Sequence, residues 1–275
     1  MYETILVPTD GSDTSVAAGK AAFVLAREFG AELHALHVLE EDSPDRSYGN
    51  ELVAAIEDAA AEADIETTTA VVETDESVHR ALIEYATEHD IDCIVMGTHG
   101  REALREYVLG SVAERTLREA PVPVITVHED TAVSSEIDRV LVPTDGSDSA
   151  NAAAEHAVAF ATATGAAVHV IRVVDDRNVD ETVHDAFEDA GQRAVEEVIE
   201  TAQRADVSSI EAQVLSGIPH QAIREYAEHN DIDYVFMGTH GRTGVSRYLL
   251  GSVTERVVRL VDVPVVSLKA TEPTD

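Results

Sequence analysis

The stretch Gly97-Thr98-His99-Gly100, nine further residues, then Gly110-Ser111 decides the reading of this chain, because it returns as Gly238-Thr239-His240-Gly241, nine residues, Gly251-Ser252. Each copy follows an apolar run, Ile91-Asp92-Cys93-Ile94-Val95-Met96 or Ile232-Asp233-Tyr234-Val235-Phe236-Met237, and precedes a helix-like stretch. Glycines and small hydroxyls are therefore set between a buried strand and a helix N-terminus. Anions bind at such places: free backbone N–H groups and the positive end of the helix dipole attract them, and glycine lets the backbone approach closely.

The duplication runs through the whole chain. Ile5-Leu6-Val7-Pro8-Thr9-Asp10-Gly11-Ser12-Asp13 recurs as Val140-Leu141-Val142-Pro143-Thr144-Asp145-Gly146-Ser147-Asp148, a shift of 135 positions, whereas the glycine segments are shifted by 141 (97 to 238). The second copy therefore carries six extra residues, most simply in the longer helical region from Asp180 to Ala205. Two homologous domains, 1–130 and 137–270, are the natural division of 275 residues. The seam falls at Glu129–Glu136, a polar stretch with Ser134-Ser135 and no strong periodicity.

Between these landmarks, short β-branched runs alternate with helix-like segments. In the first copy the expected strands are Thr4–Val7, Glu32–Leu39, Thr67–Val72, Ile91–Met96 and Val122–Val127, with helices near 14–29, 50–63, 77–89 and 111–119. The second copy repeats them at Arg139–Val142, Ala167–Val174, Ser209–Leu215, Ile232–Met237 and Val263–Leu268. Such alternation predicts a doubly wound α/β domain with a five-stranded parallel sheet, twice over. Ligands of this architecture bind at the carboxyl ends of the strands, beside the switch in strand order. Pro8-Thr9-Asp10 and the Gly97 segment both lie at such ends, as do Pro143-Thr144-Asp145 and the Gly238 segment. Prolines near the start of each last strand (Pro121, Pro123, Pro264) suit edge strands, and pairing the two edges would cover both and give an intramolecular pseudo-dimer.

Asp plus Glu outnumber Lys plus Arg by 53 to 19, for a net charge of −34. Such a surface repels nucleic acid and anionic membranes and opposes its own compaction. At ~1 M salt the Debye length falls to about 3 Å and most of that repulsion is screened, so the composition points to a salt-rich cytoplasm and an extreme halophile. No apolar run approaches the ~20 residues of a membrane span, and no leader is evident, which places the chain in the cytosol. The single cysteine, Cys93, sits inside an apolar strand and reads as a core residue. Zinc spacing of Cys and His and a Gly-Lys-Ser/Thr phosphate loop are both missing, so no metal cage and no catalytic group can be named.

Taken together, the Ile-Leu-Val-Pro-Thr-Asp-Gly-Ser opening, the alanine-rich helix and the Met-Gly-Thr-His-Gly-Arg segment leading to Gly-Ser-Val and a Val-Pro-Val strand resemble the universal stress protein family, in tandem form. Both copies satisfy that family's nucleotide signature, Gly-x2-Gly-x9-Gly-Ser/Thr. The resemblance implies a flavodoxin-like fold and an ATP site in each domain, with Mg²⁺ or Mn²⁺ carried on the phosphates. In the first domain it implies Pro8, Thr9 and Asp10 at the ribose and adenine side and Val38 as a backbone contact to adenine. It places Met96, Gly97, Gly100, Arg101, Gly110, Ser111 and Val112 around ribose and phosphates. The matching positions in the second are Pro143, Thr144, Asp145, Val173, Met237, Gly238, Gly241, Arg242, Gly251, Ser252 and Val253. Within the nine-residue loops Gly244 and Arg247 stand where the first copy has Ala103 and Glu106, which predicts tighter ATP binding at the second site, with Arg105 partly compensating in the first.

Plainer roles compete at the same positions. The glycines can serve tight turns and strand–helix packing. Asp10 and Asp145, each followed by Gly-Ser, can form Asx turns or helix caps, which does not exclude a ribose contact. His99 and His240 lack an adjacent nucleophile or metal-spaced partners and read as conformational or peripheral, while His79 and His220, on the expected third helices, read as surface or packing residues. Three functions remain open: a nucleotide-binding stress-response protein that retains ATP as a regulatory or structural ligand, a slow ATPase or phosphotransfer enzyme, and an interaction module with empty sites.

Overall fold

The computed structural model describes residues 1–40, 46–100, 109–175, 181–241 and 249–270, with side chains in helix 181–204 described from residue 192 onward. The chain divides into two compact units, Met1–Val133 and Ser134–Asp275. The first holds β1 (Thr4–Pro8), α1 (Asp13–Phe29), β2 (Glu32–Glu40), α2 (Arg46–Ala61), β3 (Thr67–Thr74), α3 (Val78–Glu88), β4 (Cys93–Gly97), α4 (Ser111–Glu119) and β5 (Val124–Val127). The second repeats the order as β6 (Arg139–Pro143), α5 (Asp148–Thr164), β7 (Ala167–Val174), α6 (Glu181–Arg204), β8 (Ile210–Ser216), α7 (Pro219–His229), β9 (Tyr234–Gly238), α8 (Ser252–Leu260) and β10 (Val265–Leu268).

Within the first unit the parallel strands run β3-β2-β1-β4-β5, and within the second β8-β7-β6-β9-β10. Ile5, Leu6 and Val7 on β1, and Val140 and Leu141 on β6, are wholly buried, as befits central strands covered on both faces. After β1 the chain winds outward through β2 and β3, then returns to β4 on the other side of β1. The switch point therefore lies between the carboxyl ends of β1 and β4, and again between β6 and β9.

Local chemistry explains the elements. Ser12 caps α1 by accepting from the Ser15 N–H, and Gly30 ends it in the left-handed region at φ 65°, its N–H reaching Ala26 O. Ser147 and Gly165 do the same for α5. The buried faces of these helices are mostly alanine, Ala17, Ala18, Ala21 and Ala22 in α1, which brings the helix close to the sheet. Asp92 and Asp233 hold the starts of the central strands: Asp92 Oδ2 accepts from the N–H groups of Glu3 and Thr4, and Asp233 Oδ2 from those of Asp138 and Arg139.

The architecture agrees with the sequence reading; several boundaries do not. Strands expected from Ile91 and Ile232 begin two residues later, because Asp92 and Asp233 serve as caps. Those expected from Val122 and Val263 start after Pro123 and Pro264, which cannot donate to a ladder but whose carbonyls accept from Ile94 N–H and Val235 N–H at 3.0 Å. The first-copy helix expected at 50–63 starts at Arg46. The extra residues of the second copy lengthen α6, which has 24 residues against 16 in α2.

Candidate functional site

The turn after each central strand is built by its own side chains. Gly11 and Gly146, at φ 77° and 71°, let the chain reverse just past Asp10 and Asp145. Asp10 Oδ1 accepts from the Ser12 N–H at 3.0 Å and its hydroxyl at 2.6 Å, and Asp145 Oδ1 accepts from the Ser147 N–H at 3.0 Å. One carboxylate oxygen thus makes the Asx turn that precedes the helix. The other, Oδ2, faces the glycine segment: a methyl group on Gly100 would strike Asp10 Oδ2, and one on Gly241 would sit 2.8 Å from Asp145 Oδ2. Capping and an oxygen directed at the glycine segment coexist in one side chain.

The three glycines have distinct duties. A methyl group on Gly97 would lie 2.7 Å from Thr14 Oγ1 and 2.8 Å from its Cβ, and one on Gly238 2.6 Å from Ser149 C, so these positions admit the first turn of α1 and α5. Thr14 Oγ1 then donates to His99 O at 2.5 Å, and Ser149 Oγ donates to His240 O, which pins the glycine turn to the helix. Gly110 and Gly251 act as N-caps of α4 and α8, with extended φ/ψ and no side-chain capping bond. Their own N–H groups close the loop onto Thr98 O and Thr239 O at 2.8 Å. Helix N-termini capped by glycine keep their first N–H groups and the positive dipole end turned outward, beside exposed Ser111 and Ser252.

In the second unit these parts enclose one cleft of about 530 Å³, within the ~300–1,000 Å³ range usual for small-molecule sites. Pro143, Thr144, Asp145, Val173, Met237, Gly238, Gly241, Gly251, Ser252 and Val253 all line it. In the first unit the equivalent residues occupy the same ends of β1, β2, β4 and α4, with Thr9 and Met96 buried and Pro8, Asp10, Val38, Gly110 and Val112 half-buried. Arg101 and Arg242 lie outside the described residues, as do Ala103, Arg105, Glu106, Gly244 and Arg247 on which the expected difference between the sites rests.

The cleft also contains residues that sequence reasoning passed over: Arg172 on β7, Asp175 just after it, Pro219 and Ile223 on α7, and Thr254, whose hydroxyl holds Gly238 O at 2.8 Å. Thr254 has Ala113 as its counterpart and Arg172 has His37, so the comparison of copies hid them. His240, read as peripheral, lines the cleft, its Nδ1 2.8 Å from Thr239 Oγ1. Arg118 and Arg259 pair with Glu119 and Glu255 at 2.9 and 3.4 Å. Cys93 is fully buried and burial pushes its thiol well up, which leaves it unreactive.

With that geometry in view, the model of the universal stress protein family matches residues 1–128 and again 136–269. The chain belongs to the universal stress protein family. Over 139 residues it is 37% identical to universal stress protein MJ0531 of Methanocaldococcus jannaschii, covering 48% of this chain and 81% of that protein. To MJ0577 of the same organism it is 30% identical over 152 residues, covering 48% of this chain and 94% of that protein. Half of this universal stress protein thus spans most of each relative, as a tandem duplication requires. A solved universal stress protein from Archaeoglobus fulgidus matches over 98% of this chain and 97% of its own, with a TM-score of 0.71 and 28% identity. Among the described residues no helix is long and apolar enough to cross a membrane.

Proposed function

We propose that each unit binds one ATP at the carboxyl edge of its sheet and retains it as a regulatory or structural ligand of a stress-response protein. The observation that carries this reading is the cleft of about 530 Å³ in the second unit, where a carboxylate oxygen, apolar Val173 and Met237, and an outward-facing helix N-terminus converge. Each part suits one part of a nucleotide. Asp145 Oδ2 accepts from ribose hydroxyls, Val173 and Met237 flank the purine, and the α8 N-terminus with Ser252 receives phosphate charge. A divalent cation, Mg²⁺ or Mn²⁺, travels with the phosphates. A salt-rich cytoplasm supplies ATP and screens the charge of −34.

A retained ligand couples the cell's ATP to the fold. At ~1,000-fold excess over Kd, ATP stabilises the folded state by about 4 kcal/mol, enough to set the lifetime of the protein or of a partner contact. The test is to purify the chain in molar KCl, denature it, and identify and count the released nucleotide by chromatography and mass spectrometry. Close to two ATP per chain supports both sites, and close to one supports a dominant second site. No nucleotide, with no binding on adding ATP and Mg²⁺, overturns the proposal.

A further inference from the structure

The ladder between β1 and β2 stops in an unusual way, and the one between β6 and β7 stops in the same way with different chemistry. Paired positions run from Thr4↔Glu32 to Pro8↔Leu36, after which the Thr9 N–H donates to Leu36 O at 2.8 Å. In a regular parallel ladder the next bond returns from the Val38 N–H to Thr9 O. That carbonyl instead receives His37 Nδ1 at 2.7 Å, and among the described residues no backbone donor reaches it. In the second unit the ladder ends at Pro143↔Ile171, the Thr144 N–H donates to Ile171 O at 2.9 Å, and Arg172 Nη1 donates to Thr144 O at 3.2 Å.

We infer that His37 and Arg172 are positioning residues that cap the carbonyls of Thr9 and Thr144 and so keep the Val38 and Val173 N–H groups as donors to the purine edge. The inference rests on the nucleotide reading above. Strand residues present N–H and C=O to alternate sides, so Val38 shares the side of Leu36, toward β1, at the level where β1 has turned away into Asp10. Without the side-chain cap, Thr9 O is the natural acceptor for the Val38 N–H, and the ladder would zip one step further across the crevice.

Packing supports the assignment. The His37 ring stands edge-on to Tyr48, with centroids 6.4 Å apart and planes at 89°, and Gly49 makes room for it: a methyl group there would lie 2.6 Å from His37 Cδ2. Because a carbonyl is the partner, Nδ1 of His37 carries the proton and the neutral ring suffices. Arg172 and Val173 both line the second cleft. A backbone N–H held open toward the base matches a ring nitrogen that accepts, as N1 of adenine does, and opposes one that bears a proton, as N1 of guanine does.

The test uses the full chain in molar KCl, with Arg172→Leu to remove the cap and Arg172→His to import the first unit's version. Amide hydrogen exchange reads Val173 without nucleotide, and calorimetry reads ATP and inorganic tripolyphosphate. The expected result is a Val173 amide that exchanges readily in the free wild type and becomes protected in Arg172→Leu. Second-site ATP affinity falls about tenfold, tripolyphosphate binding is unchanged, and Arg172→His restores both amide behaviour and ATP affinity. A Val173 amide already protected in the free wild type overturns the inference, as does equal loss of ATP and tripolyphosphate or failure of the His variant to rescue in a protein that melts like wild type. If the wild type binds no ATP, the nucleotide reading fails by itself, and the exchange result still decides whether the side chain ends the ladder.

Discussion

Replacing Gly97 by alanine separates a packing glycine from a ligand glycine. The added methyl would lie 2.7 Å from Thr14 Oγ1 and 2.8 Å from Thr14 Cβ, closer than such contacts are tolerated, and 3.0 Å from Thr14 C, a tight contact with backbone. The first turn of α1 must move, and with it the hydroxyl that donates to His99 O at 2.5 Å. Overpacking costs ~1–3 kcal/mol and a lost hydrogen bond about 1 kcal/mol more, so a destabilisation of ~2–4 kcal/mol is expected. Gly19→Ala in the same unit is the control. It lies within α1 with nothing within 4 Å of the new methyl, and should stabilise by ~0.5–1 kcal/mol through helix propensity. Urea unfolding in molar KCl, followed by circular dichroism, measures both. A Gly97→Ala unfolding free energy within ~0.5 kcal/mol of wild type would refute the packing role and return the glycine to the ligand.

Other outcomes follow from the same geometry. Gly241→Asp sets a second carboxylate against Asp145 Oδ2 and should abolish ATP binding at the second site; by calorimetry it should cost more affinity than Gly100→Asp does at the first, and the reverse order would sink the expected asymmetry. Melting temperature should rise steeply with KCl up to molar concentration, because a charge of −34 is screened over about 3 Å there, and a flat dependence would contradict the halophilic reading. Burial lowers the pKa of His156 from 6.5 to about 4, so the unfolded chain takes up that proton first. Above pH 6.5 the group contributes nothing; as pH falls from 6.5 to 4 it removes ~3 kcal/mol of stability. His156→Leu should lose that part of the acid sensitivity, measured as the difference between the two proteins' unfolding free energies across this window.

Much of the molecule was legible because the chain is written twice. Strand–turn motifs recurring at fixed shifts located β1, β4, β6 and β9 and the crevice between each pair, and the Asx-turn reading of the two aspartates is seen in the Oδ1 contacts of both. What stayed hidden was whatever differed between copies or depended on the third dimension. His37 and Arg172 share a position and a duty but not a residue type, so the repeat drew attention away from them. Thr254 against Ala113 is the same case. Pro219 and Ile223 reach the cleft from α7, 74 and 78 residues after Asp145 and 19 and 15 before Gly238, and only the sheet order brings them there. The late starts of β4 and β5 follow from Asp92 and Pro123, whose side chain and carbonyl serve neighbouring strands rather than their own.

The two copies also indicate which constraints act on the backbone and which on the side chain. Where the requirement is space, as at Gly97 and Gly238 beneath the first helical turn, both copies keep glycine, since no other residue lacks the Cβ. Where the requirement is a single donor aimed at a carbonyl, an imidazole and a guanidinium serve equally, at 2.7 and 3.2 Å. The exchange is not neutral in every respect, because Arg172 adds a fixed positive charge beside the second cleft, whereas an imidazole needs no charge to make the same bond. The second cleft thereby carries a permanent cation at a position where the first unit has an imidazole. The affinity difference between the sites should accordingly shrink as salt rises, and the swap of His37 and Arg172 should move that salt dependence from the second site to the first.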